Sequence, residues 1–222
     1  AAPPAAPAAS PGLSLLLSVA AVSLLPFLFL SLTSFVKIST VLQITKSAIG
    51  AQSVPSSTVI LALSGALTLL AMAPTATAVF DRAAPVLAEN PQGPEAIVKV
   101  ASAAKEPMRT FLQQNASERE VARFLAVAKT SPTPSAAAVE KSDLSVLAPA
   151  FVVTELTEAF AIGFLIFLPF LVIDLVVANV LASLGLQTLS VSQVSLPFKL
   201  LLFVSVDGWG LLAQALVLGY RH

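Results

Sequence analysis

Cysteine is missing from this 222-residue chain, and histidine occurs once, as His222. The first absence removes disulfides, thiolate zinc sites and cysteine nucleophiles together. The second removes histidine triads and multi-histidine metal sites, so an enzyme of the usual kinds has little to work with. Charge is scarce as well. Only 11% of the residues are charged and 56% are hydrophobic, whereas soluble domains average about 25% charged residues. Lysine plus arginine and aspartate plus glutamate number 12 each, which leaves no net field to draw nucleic acid or an acidic surface. An ordinary water-soluble globule is not expected from this composition.

What is present falls into four parts. Residues 1–12, AAPPAAPAASPG, are low-complexity Ala/Pro and read as a flexible tail. Residues 1–30 carry no basic n-region, so they are not expected to form an intact signal peptide. Residues 13–80 form the N-terminal hydrophobic helices. No charge precedes Lys37, and the run from Leu13 is long enough for a bilayer span of about 20 residues. Pro26 predicts a kink or break near Leu24–Leu25. A second helix ends at Gly50, and Pro55 with the neighbouring serines starts another over Thr58–Val79, which Pro74 bends or ends.

Residues 81–143 are a different material, a polar helical insert holding eight of the 12 cations and eight of the 12 acids. Prolines 85, 91, 94, 107, 132 and 134 are expected to divide it into short pieces. Ser117 and Glu120 make a capping-box pattern, and Val121, Phe124, Leu125 and Ala128 then give a helical apolar face. Residues 144–222 read as a hydrophobic hairpin of two helices, 151–185 and 196–220, joined by the polar turn LQTLSVSQVS. Pro169 reads as a plain kink. The fold class is all-α.

The residues that break the apolar runs are the most informative. Outside the insert they are Lys37, Lys46, Lys199, Arg221, Glu155, Glu158, Asp174 and Asp207. A lone charge at a helix centre in lipid costs about 2.5–3.5 kcal/mol, so these must face protein, partner charges or water. Arg221, Lys46 and Glu155 suit span ends, where a charge reaches the interface. Lys199 and Asp207, two turns apart, suit a register-fixing pair. Alternatively, the helices pack in a multi-chain assembly around a polar conduit. Gly163, Gly185, Gly208 and Gly210 permit close contacts or bends, and Trp209 suits an interfacial anchor or a packing role. Two other function classes stay open on the residues. A secondary transporter could use Asp174 and Lys199 as a coupling pair in broken helices, although no related halves are visible. A membrane hydrolase would have to run on Glu155 and Glu158.

At these same residues the chain resembles a known family. TELTEAFAIGFLIFLPFLVIDLVVANVLASLG followed by SLPFKLLLFVSVDGW (within 154–209) is similar to the FliP/SctR family. So are residues 24–74 and the insert segment PMRTFLQQNASEREVARFLAVA (107–128). The resemblance implies a core export-gate protein of bacterial type III secretion, not an enzyme, with no cofactor or metal. It implies a pentamer joined by FliQ/SctS-type and FliR/SctT-type proteins in a pore-bearing helical cone that passes unfolded protein substrates. The location implied is the bacterial inner membrane, with the assembled complex displaced toward the periplasm. On that reading Lys37, Glu155, Asp174, Lys199 and Asp207 are assembly or buried-charge positions sheltered by neighbouring copies. TSFVKI (33–38) and GAQSVPS (50–56) lean toward injectisome rather than flagellar members. One departure concerns the pore loop. Where relatives carry a run of methionines as a gasket, this chain has Leu186, Gln187, Thr188 and Leu189. Leucines can still seal a constriction by dewetting but adapt less readily than Met, and a simple hairpin turn is the plain alternative.

Overall fold

A computed structural model describes residues 29–51, 55–88, 94–130 and 138–220, together with 19, 20, 23, 26 and 27. The tail, the break near Leu24–Leu25, prolines 91, 132 and 134, Arg221 and His222 lie outside the described residues. Every regular element described is a helix. The first, α1 (Phe35–Ile49), stops where Gly50 turns left-handed at φ 80° and donates its N–H to the Ser47 carbonyl. Next, α2 (Ser57–Ala71) opens on Ser56, whose hydroxyl accepts the Val59 N–H at 3.3 Å. The chain then bends by 60° into α3 (Ala73–Ala88). Pro74 sits in the first turn of α3, where a missing N–H does no harm. The single helix expected over Thr58–Val79 is thus two, and the second runs on past residue 80 to Ala88.

Two of the expected proline breaks do not occur. Pro85 lies within α3, and Pro107 lies within the 22-residue α4 (Pro94–Asn115). An interior proline costs about 3 kcal/mol. Just beyond Pro107, Phe111 and Leu112 are fully buried, each worth about 1.5–3 kcal/mol, so packing offsets the local penalty. The predicted cap at Ser117 opens α5 (Glu118–Lys129), with its hydroxyl accepting the Glu120 N–H at 3.3 Å. The reciprocal half of the box is replaced. Ser117 N–H donates to Thr154 Oγ1 on the long helix at 3.0 Å, and the Glu120 carboxylate takes Arg123 at 2.8 Å. The apolar face of α5 named from the sequence is its half-buried face, and Val121 joins the core.

The backbone of the fold is α6 (Leu144–Ser183), 40 residues that run unbroken through Pro149 and Pro169. At 1.5 Å per residue it is about 60 Å long, twice a bilayer's hydrocarbon thickness. Its first half is packed: Val146, Leu147, Ala150, Phe151 and Ala159 are buried. There Phe151 meets Phe111 edge-on at 5.5 Å. Alongside, α1 runs in the same sense and packs closely enough that a Cβ on Gly163 would lie 2.7 Å from Ile44. The second half is bare, and in its most apolar 18 residues only 11% are buried. The expected two-helix hairpin has three pieces, because α7 (Val191–Ser205) folds back on α6 and then bends by 57° into α8 (Gly208–Leu218), which rests on α2.

Candidate functional site: two buried ion clusters and an exposed hairpin tip

The first cluster joins α1, α6 and the end of the chain. Lys37 Nζ lies 2.9 Å from Glu155 Oε1 and 2.6 Å from Glu158 Oε2. Glu155 is completely buried, whereas the Glu158 side chain is 53% exposed. Oε1 of Glu155 faces the ammonium as its ion-pair partner. Its other oxygen accepts the Tyr220 phenol, which also reaches the Ser34 carbonyl at 3.2 Å. Lys37 sits 4.5 Å above the Tyr220 ring, a cation–π contact. Burial first, and the Glu155 carboxylate second, push the Tyr220 phenol above its ordinary pKa, so it stays a donor. Glu155 is therefore no span-end charge reaching for the interface; it is the centre of a closed network.

The second cluster joins α1, α6 and α7. Lys199 Nζ lies 2.6 Å from Asp174 Oδ2 and 3.4 Å from the Ala48 carbonyl. Ser195, one turn before Lys199, donates to Asp174 Oδ1 at 2.6 Å. Both carboxylate oxygens are thus occupied, and the Asp174 side chain remains 30% exposed. The register pair suggested for Lys199 and Asp207 does not form. The bend at residues 206–208 leaves Asp207 exposed on the surface, and Lys199 turns to Asp174 instead. Four of the five charge positions singled out from the sequence (Lys37, Glu155, Asp174 and Lys199) therefore each have an ionic partner within one chain.

The candidate pore residues sit at the tip between α6 and α7, and all four are exposed. Gly185 ends α6 at φ 70°. Its N–H reaches Ala182 O at 3.1 Å and the Leu186 N–H reaches Leu181 O at 2.9 Å, the paired bonds of a Schellman cap. Leu186 and Leu189 are 43% and 49% exposed, with Gln187 and Thr188 between them. Around this tip the surface is apolar. An apolar groove of about 420 Å³ runs between α6 and α7, lined by Val176, Val180, Val194 and Phe198 among others. On α6 alone Phe160, Phe164, Leu165, Leu175 and Val176 are each more than half exposed. So much contiguous apolar surface must be covered by lipid or by other chains. Sequence reasoning missed Tyr220 and Ser195. Neither has a local signal, since their partners lie 65 and 21 residues away.

The sequence that builds this hairpin has known relatives. The FliP family profile matches residues 18–216. The chain belongs to the FliP family. It is 44% identical over 211 residues to "Pathogenicity-related ORF2" of Xanthomonas campestris pv. glycines, covering 95% of this chain and 97% of that one. It is 43% identical over 212 residues to the "Hypersensitivity response secretion protein HrcR" of Ralstonia nicotianae, covering 94% and 97%. A flagellar member, "Flagellar biosynthetic protein FliP" of Caulobacter vibrioides, is 42% identical over 201 residues, covering 90% and 73%. As a FliP/SctR-family protein the chain is a membrane-associated component of the type III secretion export apparatus. It works among other secretion proteins, and its named relatives include a secretion protein and a flagellar biosynthetic protein.

Proposed function

We propose that this chain is the pore-forming subunit of a type III export gate of the injectisome kind, passing unfolded proteins across the bacterial inner membrane. It assembles as a pentamer with FliQ/SctS-type and FliR/SctT-type proteins into a helical cone displaced toward the periplasm. The observation that carries this reading is the combination at α6–α7: internally neutralised charges, bare apolar flanks and an exposed, well-capped tip. Neutralised clusters let the helices stand upright without lipid-facing charge. The bare flanks then supply the contacts between copies, and five tips meeting on the axis place Leu186 and Leu189 across the passage. A ring of leucines closes a narrow pore to water and ions by dewetting, while Gln187 and Thr188 keep the loop hydrated from one side.

The test is replacement of both Leu186 and Leu189 by Gly in the assembled apparatus. Leakage of small ions or solutes through the resting gate should rise; unchanged leakage with normal secretion removes the gate assignment. A flagellar role is the second reading, favoured by the 42% identity to the Caulobacter protein. Complementation separates the two, since an injectisome subunit restores effector secretion and leaves a FliP-deficient strain non-motile.

A further inference from the structure

Among the described residues Asp207 is the one non-glycine with positive φ, at 51° with ψ 49°. The left-handed region is unfavourable for an L-residue, somewhat less so for Asp than for most. Nothing local repays this, because the carboxylate caps no N–H of α8. The strain is therefore held by packing on both sides of the break. Upstream, Lys199 ties α7 to Asp174 and to the Ala48 carbonyl. Across the break, Trp209 stands edge-on to Phe203 at 5.0 Å. Gly208 allows this closure, since a Cβ there would lie 2.3 Å from the Phe203 ring. Downstream, Leu216 is buried in the core and Tyr220 is clasped to Glu155 and Ser34. The composition of the pair also suits a straight alternative. The two helices together are long and apolar enough to make one span, and no proline stands between them.

We propose that residues 206–208 are a strained hinge and that α7–α8 is a two-state strap. It is bent while Tyr220 is clasped, and it becomes one continuous helix when the clasp releases. Straightening lifts α8 off α2 and opens the Lys37–Glu155 cluster. This device stands on the backbone geometry and is independent of the export-gate reading.

The chain has no cysteine, so a Gln193→Cys/Leu218→Cys pair carries the only spin labels, and unlabelled wild-type chain dilutes them within the assembled complex. Both positions are exposed. Twenty-five residues of straight helix span about 38 Å, and a bend of 57° near residue 207 shortens this to about 33 Å. Pulsed dipolar spectroscopy should show mainly the shorter distance in the otherwise wild-type chain. Asp207→Gly, which accepts the left-handed conformation freely, should show the shorter distance alone. Asp207→Val and Tyr220→Phe should each raise the ratio of long to short populations by about fivefold or more. An unchanged distribution in both variants overturns the hinge. If the Val variant fails to accumulate, Tyr220→Phe decides alone, and an unchanged distribution there overturns it equally.

Discussion

Replacing Lys37 by Met tests the first ion cluster most sharply. The substitution keeps the length of the side chain and removes the ammonium, which leaves Glu155, with no exposed surface at all, facing only the Tyr220 phenol. Removing one partner of a buried pair costs about 3–5 kcal/mol. The surviving phenol bond places Lys37→Met toward the lower part of that range, about 3–4 kcal/mol. Glu155→Gln is milder, because the amide oxygen still accepts from Tyr220 and Lys37 keeps Glu158 at 2.6 Å; the cost is about 1–2 kcal/mol. Glu158→Gln is mildest, because a half-exposed pair is screened by water and contributes at most about 1 kcal/mol. For a chain of this size each kcal/mol moves the midpoint by about 2–4 °C, so Lys37→Met should lower Tm by about 10 °C. Trp209 is the only tryptophan, and its fluorescence during thermal unfolding of the purified chain reports the midpoint. The order Lys37→Met, then Glu155→Gln, then Glu158→Gln is the claim. A Lys37→Met variant no less stable than Glu158→Gln refutes it.

Other consequences can be checked alongside. Gly163→Ala puts a methyl 2.7 Å from Ile44 Cδ1 and should destabilise by about 1–3 kcal/mol, with partial recovery when Ile44→Ala is added; a silent Gly163→Ala shows that α1 and α6 do not need this approach. Ser117→Ala removes the α5 cap and should cost about 1 kcal/mol, seen as faster amide exchange in the first turn of α5, and unchanged protection there contradicts it. Lys199→Glu sets a second carboxylate against Asp174 and should abolish assembly on native gels of the co-expressed complex while expression persists. Asp207→Asn, which removes the charge at an exposed residue with no ion pair among the described residues and keeps the tolerance for a left-handed backbone, should assemble more fully than Lys199→Glu, and equal loss in both counts against the separate environments assigned to them.

Much of the helical content was legible because its causes are local. Ser117 and the face Val121, Phe124, Leu125 and Ala128 follow from rules spanning one or two turns, and Gly50 and Ser56 mark helix ends in the same way. Pro85 and Pro107 misled because a proline penalty is local, whereas the burial that outweighs it comes from distant segments. The break at 206–208 had a signal that went unused, since an Asp-Gly pair inside an apolar run marks a turn. Reading 196–220 as one helix followed from hydropathy alone. The ion clusters were half legible. Charges in apolar runs announce that partners exist, but Lys37 and Glu155 are 118 positions apart and only the fold selects the pair. That Lys199 chooses Asp174 over Asp207 depends on the bend, so a reading that missed the bend could not select the partner.

The account rests on the bare flanks of α6 and α7 being covered by further copies of the same chain around a common axis. Native mass spectrometry of the chain co-expressed with the FliQ/SctS-type and FliR/SctT-type proteins proposed as its companions measures this directly. Five copies in one complex are expected. A chain that stays monomeric in detergent or lipid beside those companions contradicts the account.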